Sequence, residues 1–204
     1  MPVDVSDLIR ALNTFHPISG AIETYFQNNI VYLNVSRGER ILTAGNICEN
    51  IYFIRKGVLR GFMIDNHRDI TLWMSAENEL ATSIYSLDNY APAKENIEAI
   101  EDCHLLAMSN NQLQRLYEAH PEFNIVGRKL LQHYYRDSES RSFIAKLSTA
   151  EQKYALFINQ YDHLANRVLI KYIASFLGVT IETLSRVRRK MSARKPSNND
   201  PVSA

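Results

Sequence analysis

Cysteine is nearly absent from this chain: its 204 residues contain only Cys48 and Cys103. Two isolated cysteines make no disulfide framework, and they fit a reducing cytoplasm. They also fall short of the four thiolates of a typical iron–sulfur cluster. No apolar run approaches the roughly 18 residues that a membrane-spanning helix needs. The opening Met-Pro-Val-Asp-Val-Ser-Asp lacks a basic region followed by an apolar run, so no secretory signal is expected. The histidines are scattered, with no H-x₃-H or HExxH spacing, so no metal site is expected. The glycines form no phosphate-cradling loop, and carboxylates and histidines form no motif pairing. The chain is therefore not expected to be an enzyme or to carry a cofactor.

Charge is present but unevenly placed. The whole chain is formally +1, yet residues 165–204 hold eight Lys or Arg against two acids, Glu182 and Asp200. That tail is +6, and residues 1–164 sum to −5. Six of the eight are Arg186, Arg188, Arg189, Lys190, Arg194 and Lys195. Such a cluster is the electrostatic footprint of phosphate contacts. From Lys195 onward the sequence is polar and proline-containing, as a frayed end would be.

The run from Val168 to Lys190 reads as a short helix, a tight turn at Gly178 and a second helix after Thr180. Thr180 suits the N-cap, where its hydroxyl accepts from an orphan backbone N–H. Gly178 suits the left-handed residue that ends the first helix. In the second helix Leu184, Val187 and Met191 form an apolar stripe. Glu182, Ser185, Arg186 and Arg189 form a polar one. This two-faced helix fits the DNA major groove. Arg bonds guanine O6 and N7 together, and Glu accepts from cytosine N4. The alternative is a solvated basic face, or a ligand- or protein-binding module whose basic helix docks on an acidic partner.

The first half is patterned as strands. Val31–Val35, Arg40–Thr43, Ile51–Ile54, Val58–Ile64 and Ile70–Met74 are short β-prone runs broken by glycine and Asx turns. Two more are expected between Asn96 and Met108. Spacing of this kind predicts an all-β barrel or sandwich. Helix follows: Ser109 caps one segment, and Pro121 opens a long one reaching about Lys146. In it Phe123, Val126, Leu130 and Tyr134 recur at helical steps, with Leu131 and Tyr135 beside them. Such a seam predicts a symmetric dimer interface, or else packing on the chain's own β domain.

Two motifs carry a family resemblance. Gly38-Glu-Arg-Ile-Leu-x-x-Gly45 followed by Ile51-Tyr-Phe-Ile-x-x-Gly57-x-x-Arg60 resembles the β-roll of cyclic-nucleotide-binding domains. Ile173-Ala-Ser-Phe-Leu-Gly-Val-Thr-x-Glu-Thr-Leu-Ser-Arg186 resembles the helix-turn-helix of Crp/Fnr transcription regulators. The resemblance implies an α+β chain with an N-terminal double-stranded β-helix, a long dimerisation helix and a C-terminal (winged) helix-turn-helix domain. The corresponding segments are 1–120, 121–146 and 147–204. It further implies a cytoplasmic homodimer that binds double-stranded DNA through Thr180, Glu182, Ser185, Arg186, Arg188, Arg189 and Lys190. RNA polymerase and a small-molecule effector are the other implied partners.

The same resemblance places an effector pocket at Glu79, Leu80, Lys94, Tyr134 and Tyr135. The family's nucleotide binders carry Gly-Glu-apolar-Gly and then an Arg that pairs with the cyclic phosphate. Here Asn78-Glu79-Leu80-Ala81 keeps only the Glu, and Pro92-Ala93-Lys94 has alanine at or beside the Arg position. Lys94 offers a charge without the bidentate fork. The effector is therefore expected not to be cyclic AMP.

Overall fold

The computed structural model describes residues 3–193. It divides into two compact units, Met1–Ser138 and Glu139–Ala204. The first unit opens with two helices, α1 (Ser6–Asn13) and α2 (Gly20–Asn29). Eight strands follow: β1 (Val31–Val35), β2 (Arg40–Leu42), β3 (Asn50–Lys56), β4 (Leu59–Asp65), β5 (Arg68–Ser75), β6 (Leu80–Ala81), β7 (Asn96–Ala99) and β8 (Cys103–Ser109). A short helix, α3 (Ile84–Asn89), interrupts them after β6. They form two antiparallel sheets, ordered β1-β8-β3-β6 and β2-β7-β4-β5. This is the expected β-roll. Gly38, Gly45 and Gly57 sit at φ +85°, +94° and +98°, the left-handed region where a Cβ is strained. The β4–β5 hairpin turns on Asn66 and His67 at φ +47° and +65°, matching the expected Asx turn.

Two apolar clusters hold this unit. One fills the roll between its sheets and includes Leu42, Tyr52, Ile54, Leu59, Ile97 and Leu105, with Trp73 packed against it. A Cβ on Gly61 would lie 2.1 Å from the Trp73 ring, so glycine at 61 is what admits the indole. The second cluster packs α1 and α2 onto the other side of sheet β1-β8-β3-β6 through Leu8, Leu12, Ile22, Phe26 and Phe53. The two N-terminal helices were not anticipated. α1 carries a clear apolar stripe through Leu8 and Leu12, but it is only two turns long, and the stripe of α2 is weaker.

α4 (Asn110–Ala119) starts with a complete capping box: Ser109 Oγ accepts from the Gln112 N–H, and Gln112 Oε1 accepts from the Ser109 N–H. α5 (Phe123–Lys146) is the long helix. Its first half corrects the dimer expectation. Phe123 and Val126 are 3% and 1% exposed and belong to the second cluster of their own β domain. Leu130 packs on the same cluster. The large apolar residues that face outward nearby are Leu131 and Tyr135, 62% and 65% exposed.

In the second unit, the end of α5 leads to α6 (Ala150–Tyr161), a single 3-10 turn at Asp162–Leu164, α7 (Ile170–Leu177) and α8 (Ile181–Ala193). Ile144, Phe157, Leu164, Ile173, Leu177, Leu184 and Val187 are all buried. Among the described residues no strand follows β8, so the expected wing is not formed there: α6 runs through one turn and a short loop into α7.

Candidate nucleic-acid interface and sensor site

The helix-turn-helix has the expected local chemistry. Gly178 caps α7 at φ +64°. The Thr183 N–H donates to Thr180 Oγ1 at 3.2 Å, and the Leu184 N–H to the Thr180 carbonyl at 3.0 Å, so Thr180 caps α8. α6 supports the turn, with Lys153 Nζ donating to the Leu177 carbonyl at 3.0 Å. Leu184 and Val187 are buried and Met191 half-buried. Glu182, Arg186 and Arg189 are exposed, and Ser185 and Arg188 half-buried. The structure thus puts Glu182, Ser185, Arg186 and Arg189 on one open face of one helix.

The Glu182 carboxyl is held below the usual carboxylate range, first by its own backbone N–H and then by the Thr180 hydroxyl. It is an anionic acceptor at neutral pH. Lys190 does not project freely. Its Nζ lies 3.3 Å from Glu151 on α6, so a phosphate contact there must compete with an ion pair. Arg194 and Lys195, also expected at phosphates or in the tail, lie outside the described residues.

The residues assigned to an effector pocket only partly come together. Glu79, Leu80 and Tyr134 line one cleft with Ala11, Phe15 and His133, and its volume is about 40 Å³. Drug-sized ligands occupy clefts of roughly 300–1,000 Å³. Tyr134 closes this one: the Leu80 N–H donates to its hydroxyl at 2.7 Å. Burial pushes the Tyr134 phenol up to about 12. Tyr135 points away from the cleft, and Lys94 is elsewhere. Its ammonium sits 4.3 Å over the Tyr85 ring, a cation–π contact. Glu79 is spent on its own turn, where its side chain accepts from the Ala76 N–H at 3.0 Å. Asn78 there adopts φ +69°, a conformation that Asn tolerates better than most residues.

Two buried polar residues stand out in this unit. Arg60 is 1% exposed. It donates to both oxygens of Asp69 at 2.6 Å and to Glu98 at 2.7 Å, with its guanidinium 4.0 Å from the Phe62 ring centroid. Burial works against that charge, but Asp69 and then Glu98 more than offset it, so the guanidinium stays charged. Ser83, just before α3, is fully buried, and its hydroxyl has no hydrogen-bond partner among the described residues. No periodicity flags either residue.

Residues 32–120 match the family model of the cyclic nucleotide-binding domain. At chain level, solved structures share the fold. FixK2 from Bradyrhizobium japonicum superposes with a TM-score of 0.71 at 18% identity, covering 84% of this chain and 89% of that one. A CooA variant from Carboxydothermus hydrogenoformans gives 0.68 at 16%, covering 95% and 87%. A protein from Eubacterium rectale assigned as a transcriptional regulator of the Crp/Fnr family gives 0.67 at 16%, covering 86% and 84%. The chain shares the fold of these solved structures over most of its length, with the family-model match confined to residues 32–120. No curated relative matches it. Among the described residues, no helix is long and apolar enough to cross a membrane.

Proposed function

We propose that this protein is a cytoplasmic, dimeric, sequence-specific DNA-binding transcription regulator whose β-roll does not receive a cyclic nucleotide. One observation carries the DNA assignment. α8 buries Leu184 and Val187 and turns Glu182, Arg186 and Arg189 outward from a capped, supported start. That arrangement suits a recognition helix in the major groove. Arg186 is assigned to a guanine edge and the anionic Glu182 to a cytosine amino group. Arg188, Arg189, Lys190 and Arg194 are assigned chiefly to phosphates, with Thr180 and Ser185 orienting the helix start and its middle. Leu131 and Tyr135 supply the dimer contact, because they are the large apolar residues that the first half of α5 leaves exposed.

The claim against cyclic nucleotides rests on three features. Ala93, at or beside the position of the phosphate-pairing Arg that the resemblance implies, is buried. Lys94 is held over Tyr85, and Trp73 on Gly61 packs against the apolar filling of the roll. RNA polymerase is the downstream partner that such a role implies.

The test is a gel shift on random-sequence duplexes, followed by footprinting and sizing in solution. The expected result is a dimer that protects two half-sites about one helical turn apart. A monomer that protects one half-site, or no retention of any duplex, overturns the reading.

A further inference from the structure

Glu151 stands in the first turn of α6, beside the basic end of α8. Lys190 Nζ donates to its Oε1 at 3.3 Å, and the two side chains are 47% and 50% exposed. The carboxyl is held below the usual carboxylate range first by its own backbone N–H and then by Lys190, with Arg186, one turn earlier on α8, also attracting it. The ion pair does not set this position. The Gln152 N–H donates to Thr149 Oγ1 at 3.3 Å and caps α6. Lys153 ties the same helix to the Leu177 carbonyl. α6 also packs against α8, and Tyr154, Phe157, Leu184 and Val187 are buried. The carboxylate is therefore carried to the basic face of α8 by helix packing.

An ion pair this exposed adds little to folding. Its consequence falls on the surface assigned above to DNA. Arg186 and Lys190 are four residues apart on one helix, where like charges repel. Glu151 supplies their counter-charge in the free protein. A DNA phosphate brought to Lys190 meets that carboxylate as a like charge.

We infer that Glu151 is a built-in competitor of DNA: it holds Lys190 in the free protein, must yield it to a phosphate, and so lowers affinity for every duplex alike. The inference rests on the DNA-binding reading above and adds a tuning residue outside the recognition helix. Salt dependence follows the same logic. DNA gives up bound cations when a lysine neutralises a phosphate. The carboxylate left behind takes up a cation, so the net release is smaller. Base contacts then carry a larger share of the binding energy.

The experiment uses the full chain, a duplex selected from a random pool and a scrambled duplex, each titrated over a salt series. Glu151→Gln is expected to tighten both duplexes by about 2- to 5-fold at low salt. It should also steepen the salt slope by about one. In a Lys190→Met background the same Glu151→Gln change is expected to bring no gain. Urea unfolding of Glu151→Gln should match wild type, because the pair is exposed.

Two results overturn the inference while leaving the DNA-binding reading intact, since wild type still retains the duplex. One is unchanged or weaker binding by Glu151→Gln, which would make Glu151 neutral or a positioning residue for Lys190. The other is a gain that persists in the Lys190→Met background, which would mean that Lys190 is not what the carboxylate withholds. If wild type retains no duplex at all, the DNA-binding reading falls and this inference falls with it.

Discussion

The Tyr134 hydroxyl accepts a hydrogen bond from the Leu80 backbone N–H at 2.7 Å, tying the middle of the long helix to the end of a β-roll strand. Leu80 is one of two residues in β6, which pairs with β3 through Phe53 and Tyr52. A single phenol thus joins α5 to the sheet and closes the small cleft between them. The same ring lines that cleft together with Glu79 and His133.

Tyr134→Phe removes that bond and leaves the ring. The expected loss is about 0.5–1.5 kcal/mol of folding stability, read by urea unfolding. Its pH dependence is specific. The unfolded phenol loses its proton near 10 and the folded one near 12, so between these values the folded chain binds more protons. The contribution is full below pH 10 and falls by on the order of 2–3 kcal/mol as pH rises through 12. Wild type minus Tyr134→Phe should show that slope. Parallel curves for the two proteins would contradict it.

Gly61→Ala places a methyl within 2.1 Å of the Trp73 ring, and the ring must move. Overpacking of this kind costs about 1–3 kcal/mol. Trp73 is the only tryptophan, so its fluorescence reports the shift directly. An unchanged emission spectrum with unchanged stability would show that the roll has room there.

The two faces of α5 should respond differently. Leu131→Asp with Tyr135→Asp is expected to yield a folded monomer, seen by light scattering, with weakened DNA binding. Phe123→Ala is expected to destabilise each protomer by about 3–5 kcal/mol, because this ring is buried against Phe26 and Tyr117. If Leu131→Asp/Tyr135→Asp stays dimeric, the interface lies elsewhere.

Arg186→Ala should cost about 1–3 kcal/mol on the selected duplex and relax preference at one base pair. Arg189→Ala should weaken all duplexes alike and reduce the salt slope by about one. Affinities for selected and scrambled duplexes over a salt series separate these outcomes. Equal losses on both duplexes for Arg186→Ala would remove it from base readout.

Calorimetric titration with cyclic AMP and cyclic GMP should give no binding in the micromolar range. Losing a charge-assisted pair with the phosphate costs on the order of 2–5 kcal/mol, roughly 30-fold to several-thousand-fold. A low-micromolar dissociation constant would reinstate the roll as a nucleotide receptor.

Wherever local chemistry decides, the amino-acid sequence by itself determined the outcome. Gly38, Gly45 and Gly57 mark turns because only glycine enters their positive φ cheaply, and the alternating apolar runs between them become strands. Thr180 and Gly178 punctuate the helix-turn-helix because cap and C′ positions have their own hydrogen-bond demands. The period of α8 separates Leu184 and Val187 from Glu182, Arg186 and Arg189 without reference to any other element.

Tertiary structure decided what each apolar face meets. The Phe123–Tyr134 seam reads identically whether it faces a second protomer or its own sheet. The cluster that α1, α2, the sheet and α4 bring together buries Phe123 and Val126 and leaves Leu131 outside. Lys94 beside Glu95 in the chain says nothing of Tyr85, nine residues earlier, whose ring lies under its ammonium. Arg60 finds Asp69 and Glu98 through sheet register, a long-range pairing that spacing along one strand does not encode.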